Sequence, residues 1–130
     1  MYTKTTDHIT VSVYPVYLAD QSEPEAGHYV WAYHVRIENH GKTAIRVCHR
    51  HWQITDALGR QQDVRGTGVV GEQPVIQPGS LFEYTSGTPL PTPSGIMVGT
   101  YGIIDANGQM SEIDIPAFSL DSPFQAVQIH

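Results

Sequence analysis

The residues Gly66-Thr-Gly68-Val-Val-Gly71 have the G-x-G-x-x-G spacing that, between a strand and a helix, lets a backbone turn approach a dinucleotide pyrophosphate. That chemistry requires a helix opening at Gly71. The residues that follow, Glu72 to Gly79, carry no amphipathic period and cannot propagate a helix past Pro78, so a dinucleotide fold is not expected. A simpler chemistry survives, because backbone N–H groups of a glycine-rich loop form an anion-binding nest without any helix. Arg65 and Arg50 would add charge-assisted contacts to a phosphate, which makes Arg50, Arg65, Gly66, Gly68 and Gly71 the candidate anion-binding residues. The competing reading is that these glycines serve turns and close packing, with the arginines on a solvated face.

Three other chemistries are weaker in this sequence. His49 and His51 are two apart, so on a regular strand both imidazoles would face one side and could share a metal ion, but a zinc-type site needs three or four ligands and no third lies nearby. For nucleophilic catalysis, Ser86 in Thr-Ser-Gly lacks the G-x-S-x-G elbow, and Cys48 reads as a mid-strand structural thiol. The carboxylates are scattered, and only Asp63 and Glu72 lie near the glycine segment, where metal-assisted hydrolysis would need one of them. No catalytic residue is assigned.

The elements that position these residues are strands. Tyr29, Trp31, Tyr33, Val35 and Ile37 alternate with smaller or polar neighbours across His28 to Glu38, and this aromatic stripe, with Trp52, reads as core, while any of its rings left exposed would be an anchor for a protein partner. Ile9 to Leu18 reads as a first strand whose face shifts near Pro15, an edge or bulge position because proline cannot donate to a ladder. In Ala44 to Ala57 the apolar phase changes from Ile45 and Val47 to Trp52 and Ile54, which predicts a bulge between Cys48 and His51. Arg60 to Val64 predicts a short returning strand, Val64 to Gly79 a long ordered loop, and Ser80 to Ser86, Ile96 to Ile104 and Gln109 to Ile115 three more strands. Asn107-Gly108 predicts a two-residue type I′ hairpin. About seven strands without a convincing helix predict an all-β, antiparallel immunoglobulin or fibronectin type III-like sandwich spanning 1–130 as one domain, with its core at about 8–118 and residues 119–130 loosely attached.

Composition narrows the function. The 130 residues contain 13 acidic and 7 basic side chains, a net charge of -6 that repels a phosphate backbone, so nucleic-acid binding is not expected. The four arginines 46, 50, 60 and 65 outnumber Asp56 and Asp63, so that segment carries +2 and could still attract a small anion. One cysteine permits no internal disulfide, the polar N-terminus lacks the apolar stretch of a secretory signal, and no run approaches a membrane span. Cytoplasmic location without membrane insertion is the expectation.

The runs Arg50-His-Trp-Gln-Ile-Thr-Asp-Ala-Leu-Gly59, Val64-Arg-Gly-Thr-Gly-Val-Val-Gly-Glu-Gln-Pro74 and Tyr84-Thr-Ser-Gly87 closely resemble the ApaG (CorD) family of small bacterial proteins. The resemblance extends from about Ile9 to Phe118 and includes Tyr29-Val-Trp-Ala-Tyr33 and Ile115-Pro-Ala-Phe118. It implies a fibronectin type III-like sandwich and a link to cobalt tolerance and magnesium efflux. Domains of this kind also occur in larger eukaryotic proteins, an F-box protein among them, where they resemble protein-binding units. The expected function is therefore a non-catalytic binding module for an as yet unidentified protein partner, without a cofactor. The alternative is a binder of phosphate, pyrophosphate or nucleotide, or a weak hydrolase, using residues 65–71.

Overall fold

The computed structural model describes residues 1–124. Its strands are β1 (Tyr2–Thr6), β2 (Ile9–Tyr17), β3 (Tyr29–Asn39), β4 (Ile45–Asp56), β5 (Gln61–Thr67), β6 (Val75–Ile76), β7 (Leu81–Leu90), β8 (Gly95–Asp105) and β9 (Met110–Leu120). They form two antiparallel sheets, ordered β1-β2-β3-β7 and β5-β4-β8-β9, with β6 paired to β4 beyond the end of β5. The all-β sandwich expected from the alternation is the fold observed.

Period-two burial builds the interior. Val11 and Val13 of β2, Trp31, Val35 and Ile37 of β3, Val47 and Trp52 of β4, Met97 and Tyr101 of β8, and Ile113, Ile115 and Phe118 of β9 are buried between the sheets. Each such side chain contributes roughly 1.5–3 kcal/mol by leaving water. Trp52 makes edge contacts with Tyr33, Tyr101 and Phe118 at centroid distances of 5.4, 6.5 and 5.8 Å, so aromatic rings from both sheets meet at the centre.

Several local features differ from the sequence reading. An additional strand, β1, precedes β2 through a two-residue turn in which Asp7 and His8 have φ of 47° and 69°. Asp-His turns of this type lack the glycine that usually marks them. Pro15 lies past Val13, the last residue paired to β1, and its missing N–H is on the side away from β3, where no strand pairs with β2 at this point. The bulge falls at Cys48, since Val47 pairs with Ile103 and His49 with Gly102. It turns Arg50 toward the inner side with Trp52 and sends His49 and His51 outward.

The predicted type I′ turn at Asn107-Gly108 is instead a three-residue loop. Asp105 Oδ1 accepts from the N–H groups of Asn107 and Gln109, both at 2.9 Å, and Gly108 alone adopts positive φ, at 79°. That side-chain bond favours a type I turn closed by a left-handed glycine. Residues 119–124 are docked rather than loosely attached: Leu120 is fully buried, the Asp121 carbonyl accepts from Trp31 Nε1 at 2.7 Å, and Phe124 packs edge-on to Tyr17 and Tyr29. The rest of that expected tail, 125–130, lies outside the described residues.

The turn after β4 is held by a buried carboxylate. Asp56 Oδ1 accepts from the N–H groups of Leu58 and Arg60 at 2.9 and 3.0 Å, and Oδ2 accepts from Arg60 Nε at 2.8 Å. Burial alone would push this carboxyl up, but the two backbone donors and the guanidinium together hold it below the ordinary value of 3.8. A carboxyl whose folded value is depressed stabilises the fold above its unfolded value, and that contribution is lost as pH falls through the folded value. Urea midpoints measured from pH 7 down to 2.5 are therefore expected to fall below the ordinary carboxylate value, and Asp56→Asn to make that decline shallower.

Candidate functional site

The glycine segment is structured throughout. Arg65, Gly66 and Thr67 belong to β5, where Gly66 pairs with Arg50 and Arg65 with His51. Beyond Thr67 the Gly68 N–H donates to the Cys48 carbonyl at 2.7 Å, opposite the bulge. Val69 and Glu72 exchange N–H to carbonyl bonds at 2.8 and 2.9 Å across a two-residue turn of Val70 (φ 43°) and Gly71 (φ 80°). Val69 is fully buried, Val70 is exposed, and the chain runs on into β6 without a helix. The long loop expected from Val64 to Gly79 is thus a strand, a tight hairpin and a two-residue strand. The N–H groups of Gly68, Val69 and Glu72, which an anion nest would draw on, donate to backbone carbonyls.

Arg50 reinforces this hairpin. Its Nη1 donates to the carbonyls of Thr67 and Gly68, each at 3.0 Å, and its guanidinium lies over Gly66, where a Cβ would come within 2.5 Å of Cζ. Gly68 is tighter: φ is +63°, and a Cβ there would stand 2.0 Å from the Glu72 carbonyl oxygen. Gly66 and Gly68 therefore have packing roles that are complete within the protein. Inward of Arg50, the hydroxyls of Tyr84 and Tyr101 share a short hydrogen bond, and burial pushes both phenols, and that of Tyr33, above the usual tyrosine range.

The outer face of the β5-β4-β8-β9 sheet gathers the remaining candidates. A cleft of about 640 Å³ is lined by His49, Arg50, His51, Arg65 and Gly66 from β4 and β5, and by Thr100, Gly102, Met110, Ser111 and Glu112 from β8 and β9. Register explains the convergence. His49 stands opposite Gly102, which stands opposite Glu112, while His51 lies between Arg65 and Thr100. Without a side chain on Gly102, the floor drops and the His49 ring lies over it, within ordinary contact of a notional Cβ. The structure thus brings His49, His51, Arg50, Arg65 and Gly66 to one cleft and leaves Gly68 and Gly71 outside its lining.

The charges on this face are largely unspent. His51 Nε2 lies 3.4 Å from Asp63 Oδ1, but Arg65, His49 and Glu112 take part in no ion pair among the described residues. On the other sheet the corresponding groups are mutually satisfied. Glu83 Oε1 accepts from Arg36 Nε at 3.2 Å and lies 3.1 Å from His34 Nε2, and the His34 and Arg36 hydrogen bonds hold that carboxyl below the usual range.

No group of three His, Cys, Asp or Glu side chains suited to a metal ion occurs among the described residues, which leaves His49 and His51 as an outward pair. Ser86 faces Tyr33 across the β3-β7 ladder, and the Cys48 thiol points to the Arg46 carbonyl at 3.7 Å. Neither meets an imidazole base. Thr100, Gly102, Met110 and Glu112 escaped the sequence reading because β8 and β9 return to this face some fifty residues after His49 and His51. The only available signal was the alternation of β9, which puts Glu112 opposite in face to Ile113.

A three-plus-four arrangement of antiparallel strands, β2-β3-β7 facing β5-β4-β8-β9, flanked by β1 and β6, defines a fibronectin type III-like sandwich domain. A family model described as the ApaG domain matches residues 19–116. The chain is 64% identical over 123 residues to Protein ApaG of Rhodospirillum centenum, covering 95% of each chain, and 59% identical over 130 residues to Protein ApaG of Paramagnetospirillum magneticum, covering all of both. A crystal structure described as an ApaA protein from Bordetella pertussis superposes with a TM-score of 0.86 at 52% identity, covering 89% of this chain and 94% of that one. The chain belongs to the ApaG family. No helix among the described residues is long and apolar enough to cross a membrane.

Proposed function

We propose that this chain is a non-catalytic binding domain whose partner is a protein docking on the outer face of the β5-β4-β8-β9 sheet. The observation that carries this reading is the cleft on that face, where Arg65, His49 and Glu112 are left without ion-pair partners beside the exposed Met110. Charges of both signs around a shallow floor suit a polar protein surface, and an exposed methionine suits adaptable packing. The adjoining hairpin adds Val70, an exposed valine held at positive φ, where a β-branched side chain is strained and a polar residue would be the local choice. On this reading the domain acts in the cytoplasm and supports cation homeostasis through contact with another protein, as the family resemblance implies.

Affinity capture from lysate with mass spectrometry tests this when wild type is compared with the Arg65→Glu and Glu112→Lys double variant. Reversing two exposed charges that have no ion-pair partner is expected to leave the melting temperature nearly unchanged. It is also expected to weaken retention of the specific partner about tenfold or more, as loss of two interfacial charge contacts does. A panel of pyrophosphate, nucleotides and cobalt, magnesium and zinc ions is run beside it. Equal retention by both proteins, together with saturable binding of one of these small ligands, would transfer the function to that ligand.

A further inference from the structure

We infer that two copies of this chain associate by antiparallel pairing of their β7 edges, joining the two four-stranded sheets into one continuous sheet. The two long sides of the sandwich differ. On one, β1 and β2 pack across β9, Lys4 Nζ lies 3.2 Å from Asp114 Oδ2, and the Asp114 N–H donates to Thr6 Oγ1 at 3.2 Å, so the strand edges there are fastened together. On the other, β7 pairs with β3 alone, and its far side has no strand partner among the described residues.

Backbone direction identifies the free groups. The Asn39 N–H donates to the Ser80 carbonyl at 3.0 Å, so even-numbered residues of this segment turn their backbone groups toward β3. By alternation, the N–H and C=O groups of Leu81, Glu83, Thr85 and Gly87 face away from the sheet. Pro89, which has no N–H to offer, occupies an odd position as well, where its ring costs β7 no bond with β3.

Natural edges are usually blunted by lysines, prolines, inward charges or bulges, and of these β7 carries only Pro89, near its end. β7 has no register shift, no Lys or Arg, and one acid, Glu83, whose charge is met by His34 and Arg36. Around a twofold axis at Thr85, residues 81–89 pair with their own copy: Thr85 meets Thr85, Glu83 meets Gly87, and Leu81 meets Pro89, which can accept a bond but not donate one. On the inner side of the pair, Tyr84 meets Ser86 and Phe82 meets Thr88. No like charges are opposed, threonine pairs are favourable cross-strand neighbours, and the half-buried Phe82 gains cover. The β5 edge on the same side is shorter and carries Asp63 and Arg65, which makes it the poorer template.

A single strand pair is a small interface of the kind found in weak, transient association, so a dimer that forms only at high protein concentration is expected. Each chain carries a net charge of -6, so the copies repel and added salt should strengthen the dimer. Sedimentation velocity of the full chain from about 10 µM to about 1 mM, at low and high salt, reads this directly. Thr85→Lys places like charges on the axis, and Thr85→Pro removes an N–H that β3 does not use. Each is expected to raise the dissociation constant about tenfold or more while circular dichroism stays unchanged. Arg65→Glu, on the other sheet, is expected to leave dimerisation intact whether or not a protein docks there. A wild type that remains monomeric at the top concentration, or a dimer indifferent to Thr85→Lys, overturns the inference, and the first result would leave β7 to an extended segment of a different protein.

Discussion

Gly68→Ala is expected to destabilise the protein by about 4 kcal/mol, at the severe end for a single substitution and comparable to losing a large core side chain. Two causes add. The residue sits at φ +63°, where an L side chain costs roughly 1–2 kcal/mol, and its Cβ would fall 2.0 Å from the Glu72 carbonyl, a backbone atom fixed by the hairpin bonds. Gly71→Ala provides the contrast, because φ there is +80° but nothing lies within 4 Å, so only the roughly 1–2 kcal/mol of backbone strain is expected. Gly66→Ala should also cost less than Gly68→Ala, since the obstructing atoms belong to the movable guanidinium of Arg50 and φ there is not positive. Urea unfolding of the three variants is expected to show Gly68→Ala losing clearly the most. Equal and small losses in all three would mean that the segment is not packed as described.

Trp31→Ala is the second large effect, expected at about 4 kcal/mol for removing a buried tryptophan. Trp31 is 1% exposed, meets Tyr17 edge-on at 5.4 Å, and donates from Nε1 to the Asp121 carbonyl, tying the end of β9 to the first sheet. Against a total stability of roughly 5–15 kcal/mol for a domain of this size, the variant should be close to unfolding in mild urea. Trp31→Phe separates the two contributions: it keeps most of the ring and should lose about 1–2 kcal/mol, chiefly from the hydrogen bond and the residual cavity. The melting temperature of the two variants, with near-ultraviolet dichroism as a probe of packing, checks the difference.

The alternation of Tyr29 to Ile37 made the central strand legible, because one buried face imposes a strict period of two. The phase change after Val47 located the bulge to within a residue or two. Less legible were features that depend on partners distant in sequence. β1 is short and polar, and its pairing rests on an Asp7-His8 turn without glycine. Gly68 resembles a phosphate-binding glycine until the Glu72 carbonyl is seen beside it. The candidate cleft was half visible: His49, His51 and Arg65 stood out by type and spacing. Gly102 and Glu112 join them through a register fixed by the Cys48 bulge and by the return of β8 and β9. Arg50 has the chemistry of an anion ligand, yet its Nη1 donors are engaged by two carbonyls.

The central claim is that the unpaired charges outside the β5-β4-β8-β9 sheet form a surface that binds a protein without chemistry. Amide shift mapping of the labelled chain, titrated with the protein recovered by capture, addresses it most directly. The expected perturbations fall on His49, His51, Arg65, Thr100, Gly102 and Glu112, and neither protein is altered covalently. Perturbations confined to the β1-β2-β3-β7 sheet, or turnover of the partner, would contradict the claim.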